Sequence, residues 1–497
     1  MLHKFTLSLL ASLVSIALHA ETTDQIIIKF RAAPASGMKR VMSVEDVNRF
    51  AAFAGEGLAL KRAMSGDAYV LKLDQAVSNE EARLIAQRIA QSDTDIEFAE
   101  PDAKRFIRFE PLDPEYPNQW TLDDAASPFA GAGDIRAEAA WDISRGSSSV
   151  VVAVLDTGHL PHRDINEARI LPGYDFISNL AVAGDGDGRD ADPTDPGDFV
   201  VLNECEAGSV AESSSWHGLL VEGIASAATN NNIDVAGIDH FASILPVRVL
   251  GKCGGFTSDI ADAMRWSVGI PVAGVPNNAH KAKVINLSLG STAACSTTEQ
   301  SAINDAVAQG AVVVVSAGNE STDVSNSAPA NCNNVVAVAA IDRAGDLAGS
   351  YTNFGDLVDI SAPGGEPPDV NAIRILQNAG ATTATTDSVA LAIGTSLASA
   401  HVAGVVSLMF AVNPALTPAQ IESTLKSTAR AFSAGSTCNS SLCGDGIVNA
   451  SAALSSASSQ ITTTAATSSG GGGGGGSVGW ISLFVLLLGG WRNKKAC

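Results

Sequence analysis

Between Val150 and Ala339 the chain repeats one pattern, in which short apolar runs rich in β-branched residues alternate with longer segments of mixed polarity. The runs Val150–Leu155, Ile244–Leu250, Val284–Leu289, Ala311–Ser316 and Val335–Ala339 are almost free of polar interruption. That pattern predicts strands buried on both faces of a parallel sheet. Helices are predicted between them, over Ser258–Val268 and Thr298–Gln309. Strands alternating with helices imply an α/β domain, a doubly wound and mainly parallel sheet with helices on both faces, from about Trp120 to Ala453. In such a sheet, ligand sites gather beyond the carboxyl ends of the strands.

The preceding segment reads differently. Strands are predicted at Gln25–Phe30, Ala68–Leu73 and Asp95–Ala99, with a helix at Asn79–Gln91, which together suggest a small α+β unit over residues 21–110. Residues 110–120 contain three prolines and are expected to form an extended linker. At the start, residues 1–20 combine Lys4, an apolar run from Phe5 to Leu18 and small residues at Ala17 and Ala20, the pattern of a cleaved export signal. At the end, a Ser/Thr/Ala-rich stretch from Ser455 and the oligoglycine Gly470–Gly476 are expected to be flexible. An apolar segment then runs from Val478 to Trp491, followed by basic residues that hold the terminus on the cytoplasmic side of a membrane. Domain boundaries are therefore expected at 1–20, 21–110, 111–453, 454–477 and 478–497.

Charge narrows the partners. Lys+Arg 31 against Asp+Glu 53 gives a net charge of −22, which repels phosphate backbones and argues against nucleic acid. An exported chain keeps disulfides, so the seven cysteines are expected to pair as Cys205–Cys253, Cys295–Cys332 and Cys438–Cys443, leaving Cys497 over. Spacing alone does not fix that connectivity. There is no CxxC pair or Cys/His cluster to suggest zinc.

Three segments carry the chemistry. Val-Val-Ala-Val-Leu-Asp156-Thr-Gly ends a buried strand in a carboxylate, Trp216-His217-Gly218 opens a helical stretch, and Gly394-Thr395-Ser396 starts an apolar, Gly/Ala-rich helix. A serine hydroxyl is a weak nucleophile unless an imidazole takes its proton and a carboxylate holds that imidazole in one tautomer. Each piece alone has a structural explanation, a turn for Asp-Thr-Gly and a helix cap for Ser396. Together, in the order Asp, His, Ser, they resemble the three signatures of the subtilisin-like serine proteases, over roughly residues 120–453. A lipase or esterase of the α/β-hydrolase type places its serine first, and here it comes last.

The resemblance implies further roles. Asn319, in Ser-Ala-Gly-Asn319, takes the place of the oxyanion-hole asparagine, with the Ser396 backbone N–H as second donor. Gly254, Gly255 and Phe256, together with Ser288, Leu289 and Gly290, resemble the edges that pair with an extended peptide, with Ala317 and Gly318 beside the specificity pocket. Structural calcium is implied, held by Asp164 with Asn230, Asn231, Asn232 and Asp234, and a second acidic run contributes the candidates Asp185 and Asp187. Residues 21–110 resemble an inhibitory propeptide whose last strand, near Ile96 to Asp102, lies in the active-site cleft. The glycine-rich tail resembles a bacterial sorting signal removed by a membrane protease. The implied whole is a secreted, monomeric endopeptidase of broad specificity acting on proteins and peptides.

Some residues depart from the family pattern. The usual His-Gly-Thr-His-Val-Ala-Gly reads His217-Gly-Leu219-Leu220-Val-Glu222-Gly, Ala400 replaces a proline, and His159 stands where an aliphatic residue is usual. These departures motivate the alternative of a catalytically silent, subtilisin-like surface binding protein.

Overall fold

The computed structural model describes residues 22–31, 41–102, 109–122 and 132–468. The export signal, the oligoglycine, the apolar tail and Cys497 lie outside the described residues.

The N-terminal unit contains β1 (Thr22–Phe30), α1 (Val44–Ala54), β2 (Leu58–Ala63), β3 (Ala68–Ser78), α2 (Asn79–Ser92) and β4 (Ile96–Pro101). The strands form an antiparallel sheet in the order β2-β3-β1-β4. Alternation along β1 turns Ile26, Ile28 and Phe30 inward, where Val47 and Phe50 of α1 and Ile85 and Ile89 of α2 close a separate core. A capping box between Ser43 and Asp46 starts α1, and Gly55 ends it in the left-handed conformation. Ile96–Pro101 form an edge strand whose partner is β1, with Asp102 N donating to Gln25 O, so these residues are engaged in their own sheet.

The second unit opens with α3 (Ala137–Trp141), β5 (Val151–Asp156), β6 (Tyr174–Asp175), α4 (Leu180–Ala183), α5 (His217–Ser226), β7 (Ser243–Arg248) and α6 (Thr257–Ser267). It continues through β8 (Val284–Leu287), β9 (Ser291–Thr292), α7 (Thr297–Ala308), β10 (Val312–Ser316), β11 (Ser327–Ala328), β12 (Val336–Ile341) and β13 (Ile360–Pro363). The hairpin β14 (Ile373–Asn378) and β15 (Asp387–Ala392) leads into α8 (Thr395–Val412), α9 (Pro418–Thr428) and α10 (Ala450–Ser468).

A parallel sheet in the order β13-β12-β10-β8-β5-β7-β6 organises this unit. The unbroken apolar runs are explained by what lies on either side. Val152, Val154, Val284, Val312 and Val314 face one core with Ala398, Val402 and Val405 of α8. Ala153, Leu155, Ile285, Val313 and Val315 face the other, with Ala263 of α6 and Ile303 of α7. From β5 the chain goes out to β6 at the edge, returns through β7 beside β5 and then crosses to β8 on the opposite side, which puts the switch in strand order at the carboxyl end of β5. Asp156 is the last residue of that strand. Helix α8 is apolar enough to cross a bilayer by length and composition, yet 94% of it is buried within the protein, so it is a core helix.

All three expected disulfides form: Cys205–Cys253, Cys295–Cys332 and Cys438–Cys443. Two expectations about the chain's connections fail. The Ser/Thr/Ala-rich stretch is helical to Ser468, with Ala453, Leu454 and Ala457 buried against the core, because its small residues allow close approach to α8 and α9. The proline-rich segment is docked: Asp113, Tyr116 and Trp120 are buried, and Glu115 N donates to Asp234 O.

Candidate active site

Asp156 is fully buried at the end of β5, and its carboxylate accepts from Thr157 N at 2.7 Å. His217 is the first residue of α5, and its Nδ1 lies 2.7 and 2.9 Å from the two Asp156 oxygens. That contact fixes the tautomer with the proton on Nδ1 and leaves Nε2 as the acceptor. Several bonds aim the ring. Trp216, wholly buried in the left-handed conformation, donates from Nε1 to Gly380 O at 2.8 Å in the β14–β15 connection. Gly218 N donates to Thr157 Oγ1, which in turn donates to Asp195. Only glycine fits at Gly218, because a Cβ there would stand 2.1 Å from Gly158 O.

Burial opposes a charged imidazole at His217, but the adjacent Asp156 carboxylate, with Asp198 and Asp195 further off, outweighs it, so its pKa is raised. The ring therefore binds a proton more readily than free histidine.

Ser396 stands in the first turn of α8, 9% exposed, and its Oγ donates to Ser288 O at 3.3 Å. Gly394, at φ +152°, turns the chain from β15 into that helix. Ser288 Oγ donates back to Ser396 O at 3.0 Å, tying the residue after β8 to the α8 start. Asn319, beyond β10, uses Oδ1 to accept from Thr395 N at 2.9 Å and from Thr395 Oγ1 at 2.8 Å. With its oxygen so held, the amide presents its N–H₂ as the donor.

A buried carboxylate, an imidazole fixed by it, a hydroxyl at a helix start and an oriented amide are what acyl transfer needs. The profile described as "Subtilase family" matches residues 147–461. An extracellular protease of Xanthomonas campestris pv. campestris is 47% identical over 406 residues, 81% of this chain and 67% of that protein. An extracellular basic protease of Dichelobacter nodosus is 35% identical over 455 residues, 89% of this chain and 72% of that one. Among solved structures, proteases from Pseudoalteromonas arctica PAMC 21717 superpose with a TM-score of 0.66 at 49% identity, covering 70% of this chain and 99% of theirs.

The chain belongs to the subtilase family. It is a subtilisin-like serine endopeptidase, and proteins are its substrates.

The expected peptide-binding edges of this subtilase divide. Ser288, Leu289 and Gly290 continue β8 past Ser396, the first buried and the last exposed. Ala317 N donates to Val338 O, and Gly318 N to Thr395 Oγ1, so both serve the internal framework. Gly254 exchanges both backbone hydrogen bonds with Gly251, at 3.0 and 3.1 Å. It thus lies in a turn stapled by Cys205–Cys253; Gly255 and Phe256 lead from the turn into α6, with Phe256 half exposed.

The two acidic loops differ as well. Asp164 is fully buried beside the loop that follows α5, accepting from Asn231 Nδ2 at 2.8 Å and Val235 N at 2.9 Å. Burial pushes its pKa up to about 7, with Asp234 and Asp113 adding to the effect. Asp113, which sequence reasoning missed because it sits in the proline-rich segment, accepts from Asn230 N and Asn231 N. Asn230 and Asn232 are held at positive φ, while Asp234 pairs with Arg163 through two 2.7 Å bonds. At the other run, Asp185 lies 2.6 Å from Arg248, a fully buried guanidinium that also binds Asp175, and Asp187 N donates to Asp185 Oδ1. Of the two candidates, Arg248 engages Asp185. Among the described residues no group of three or more His, Cys, Asp or Glu is placed to hold a metal.

Proposed function

We propose that this subtilase hydrolyses peptide bonds through an acyl-enzyme on Ser396. The observation carrying the proposal is the His217 Nδ1 contact with both oxygens of the buried Asp156. For the reaction Ser396 Oγ leaves Ser288 O and donates instead to His217 Nε2. His217 takes the hydroxyl proton as the oxygen attacks the acyl carbon, and returns it to the leaving amine. Water then repeats the sequence, with His217 again as base, and frees Ser396. Asp156 orients the ring and stabilises the imidazolium. Asn319 Nδ2 and Ser396 N receive the oxyanion. Backbone pairing along Ser288–Gly290 tolerates many side chains, which supports broad specificity.

The extracellular relatives and the N-terminal apolar run support export. The independently cored unit over residues 22–102 supports an inhibitory propeptide released by cleavage, and the apolar tail supports removal at the membrane. The mature enzyme is a monomer. Calcium is supported at the Asp164 site by two buried carboxylates, Asp164 and Asp113, whose hydrogen bonds come from backbone N–H groups and the Asn231 amide. When bound, the ion neutralises that charge and holds the loop. Labelling by a fluorophosphonate probe tests the reading: the expected result is one modified serine, Ser396, and no labelling of denatured enzyme. A native enzyme that hydrolyses peptide but is labelled elsewhere defeats it.

A further inference from the structure

Helix α5 carries His217 at its first position and Glu222 in its second turn, where the family motif has alanine. Glu222 is fully buried. Its Oε2 lies 2.8 Å from Nδ1 of His159, another departure from the family pattern, and its Oε1 has no hydrogen-bond partner among the described residues. His159 is itself buried, and its Nε2 is 3.2 Å from Glu167 Oε2, which covers the outer side. The His159 backbone is fixed on both sides, donating to Pro193 O at 2.8 Å and accepting from Asp195 N at 2.9 Å.

Asp195 also accepts from Thr157 Oγ1, the group that receives Gly218 N. The turn after Asp156 therefore grips α5 at two heights, through Thr157 at Gly218 and through His159 at Glu222. Only the upper grip uses a residue of the family motif. We propose that His159 and Glu222 are positioning residues, a buried pair that sets the seat of α5 and so the aim of His217 at Ser396. The inference rests on the reading of His217 as the catalytic base.

The chemistry of the pair makes it conditional. A lone carboxylate in so dry a site is strongly unfavourable, so removing either partner is worse than replacing both by apolar groups. Burial opposes the charge on His159, but Glu222 and then Glu167 outweigh it and raise its pKa to about 9. Burial pushes Glu222 up, with His159 opposing and the Asp156 and Glu167 carboxylates adding to the rise. Those acids, from α5, β5 and the 167–169 turn, are the charged groups facing the pair, and together they retain one proton in it through neutral pH. Because the His159 pKa is raised, its stabilisation is complete below the ordinary histidine value of 6.5 and is lost as pH rises through about 9.

The test uses the full chain as wild type, Glu222→Gln, His159→Ile and the double variant His159→Ile/Glu222→Ala. Three quantities are read from neutral to strongly alkaline pH: kcat and KM on a peptide substrate, the His217 imidazole N–H signal by proton NMR, and the unfolding temperature. Each single variant is expected to lose roughly tenfold in kcat with little change in KM and a displaced His217 signal, as misplacement of a reacting group costs rate rather than binding. Wild type is expected to lose kcat above about pH 9. The double variant is expected to regain most of the loss and to lack that alkaline limb. Single variants that melt earlier yet keep kcat and the His217 signal overturn the proposal, as does a double variant retaining the alkaline limb. If the singles do not fold, the double variant's alkaline profile decides. A wild type that hydrolyses no peptide while its His217 signal follows Glu222→Gln defeats the functional reading and leaves the positioning inference standing.

Discussion

Helices α5 and α8 carry the two side chains proposed to react, and they are anchored differently. α8 lies in the middle of the protein, almost every residue from Thr395 to Val412 buried, and its apolar packing against the sheet backs the polar bonds from Ser288 and Asn319 that fix its first turn. α5 is held by side chains that arrive from elsewhere: Thr157 and His159 after β5, Trp216 through Gly380, and the loop beside Asp164 at its C-terminal end. A helix fixed by dense apolar packing tolerates loss of one polar group. A helix fixed by a few long-range polar bonds transmits each loss to the residue it carries.

The comparison is broken most completely at Ser396. Ser396→Ala is expected to abolish peptide hydrolysis, a loss on the order of 10⁶ in kcat, and with it the cut that frees the N-terminal unit. The fold survives, since removing the hydroxyl costs at most about 1–2 kcal/mol even if it serves as a cap. Casein hydrolysis, precursor length and circular dichroism check this; a folded mutant that still hydrolyses casein excludes the triad, and an inactive but normally trimmed mutant assigns the cut to another protease.

The next effect probes α5. Asp156→Asn is expected to lower kcat by about 10⁴, because the amide favours the wrong tautomer. It also shifts the pH profile. His217 must be neutral to act, so wild-type kcat/KM rises with pH through the raised His217 pKa; without the Asp156 charge, burial dominates and the midpoint moves to lower pH. A midpoint that stays in place or rises contradicts the assignment. Asn319→Ala follows, with kcat reduced roughly 10²–10³-fold and KM little changed, since the donor acts on the oxyanion. An unchanged kcat removes Asn319 from the mechanism.

What could be read in the chain follows the same division. Runs such as Val312–Ser316 were legible because burial on both faces leaves no polar residue to confuse the period. The Gly394–Ser396 turn was legible because its neighbours in sequence are its neighbours in space. His159 and Glu222 were visible only as two separate departures, since nothing in a linear pattern pairs residues 63 positions apart. Asp113 was hidden among prolines that suggested a linker. The stretch after Ser455 misled through composition: serine, threonine and alanine suit a flexible tail, and also a helix that must lie close against others.

The smallest effect on turnover is expected at the far end of α5. The loop over residues 229–235 holds Asp164 through Asn231 and Val235, and Asp113 through Asn230 and Asn231, but neither contact supplies a positive charge. If calcium supplies it, a chelator removes a ligand that binds only the native state, and the stabilisation lost is about 2.7 kcal/mol at a free concentration a hundredfold above Kd. Initial rates at moderate temperature are expected to stay the same, because the loop lies a full helix away from His217, while the half-life at elevated temperature shortens. Asp164→Asn is expected to shorten it similarly and to make it insensitive to chelator. Two results sink the assignment: thermal inactivation that chelator does not change, or an Asp164→Asn enzyme that calcium still protects. A fall in initial rate on chelation, with the half-life unaltered, places the ion's effect on the seat of His217 and makes the lower end of α5 as sensitive as the upper.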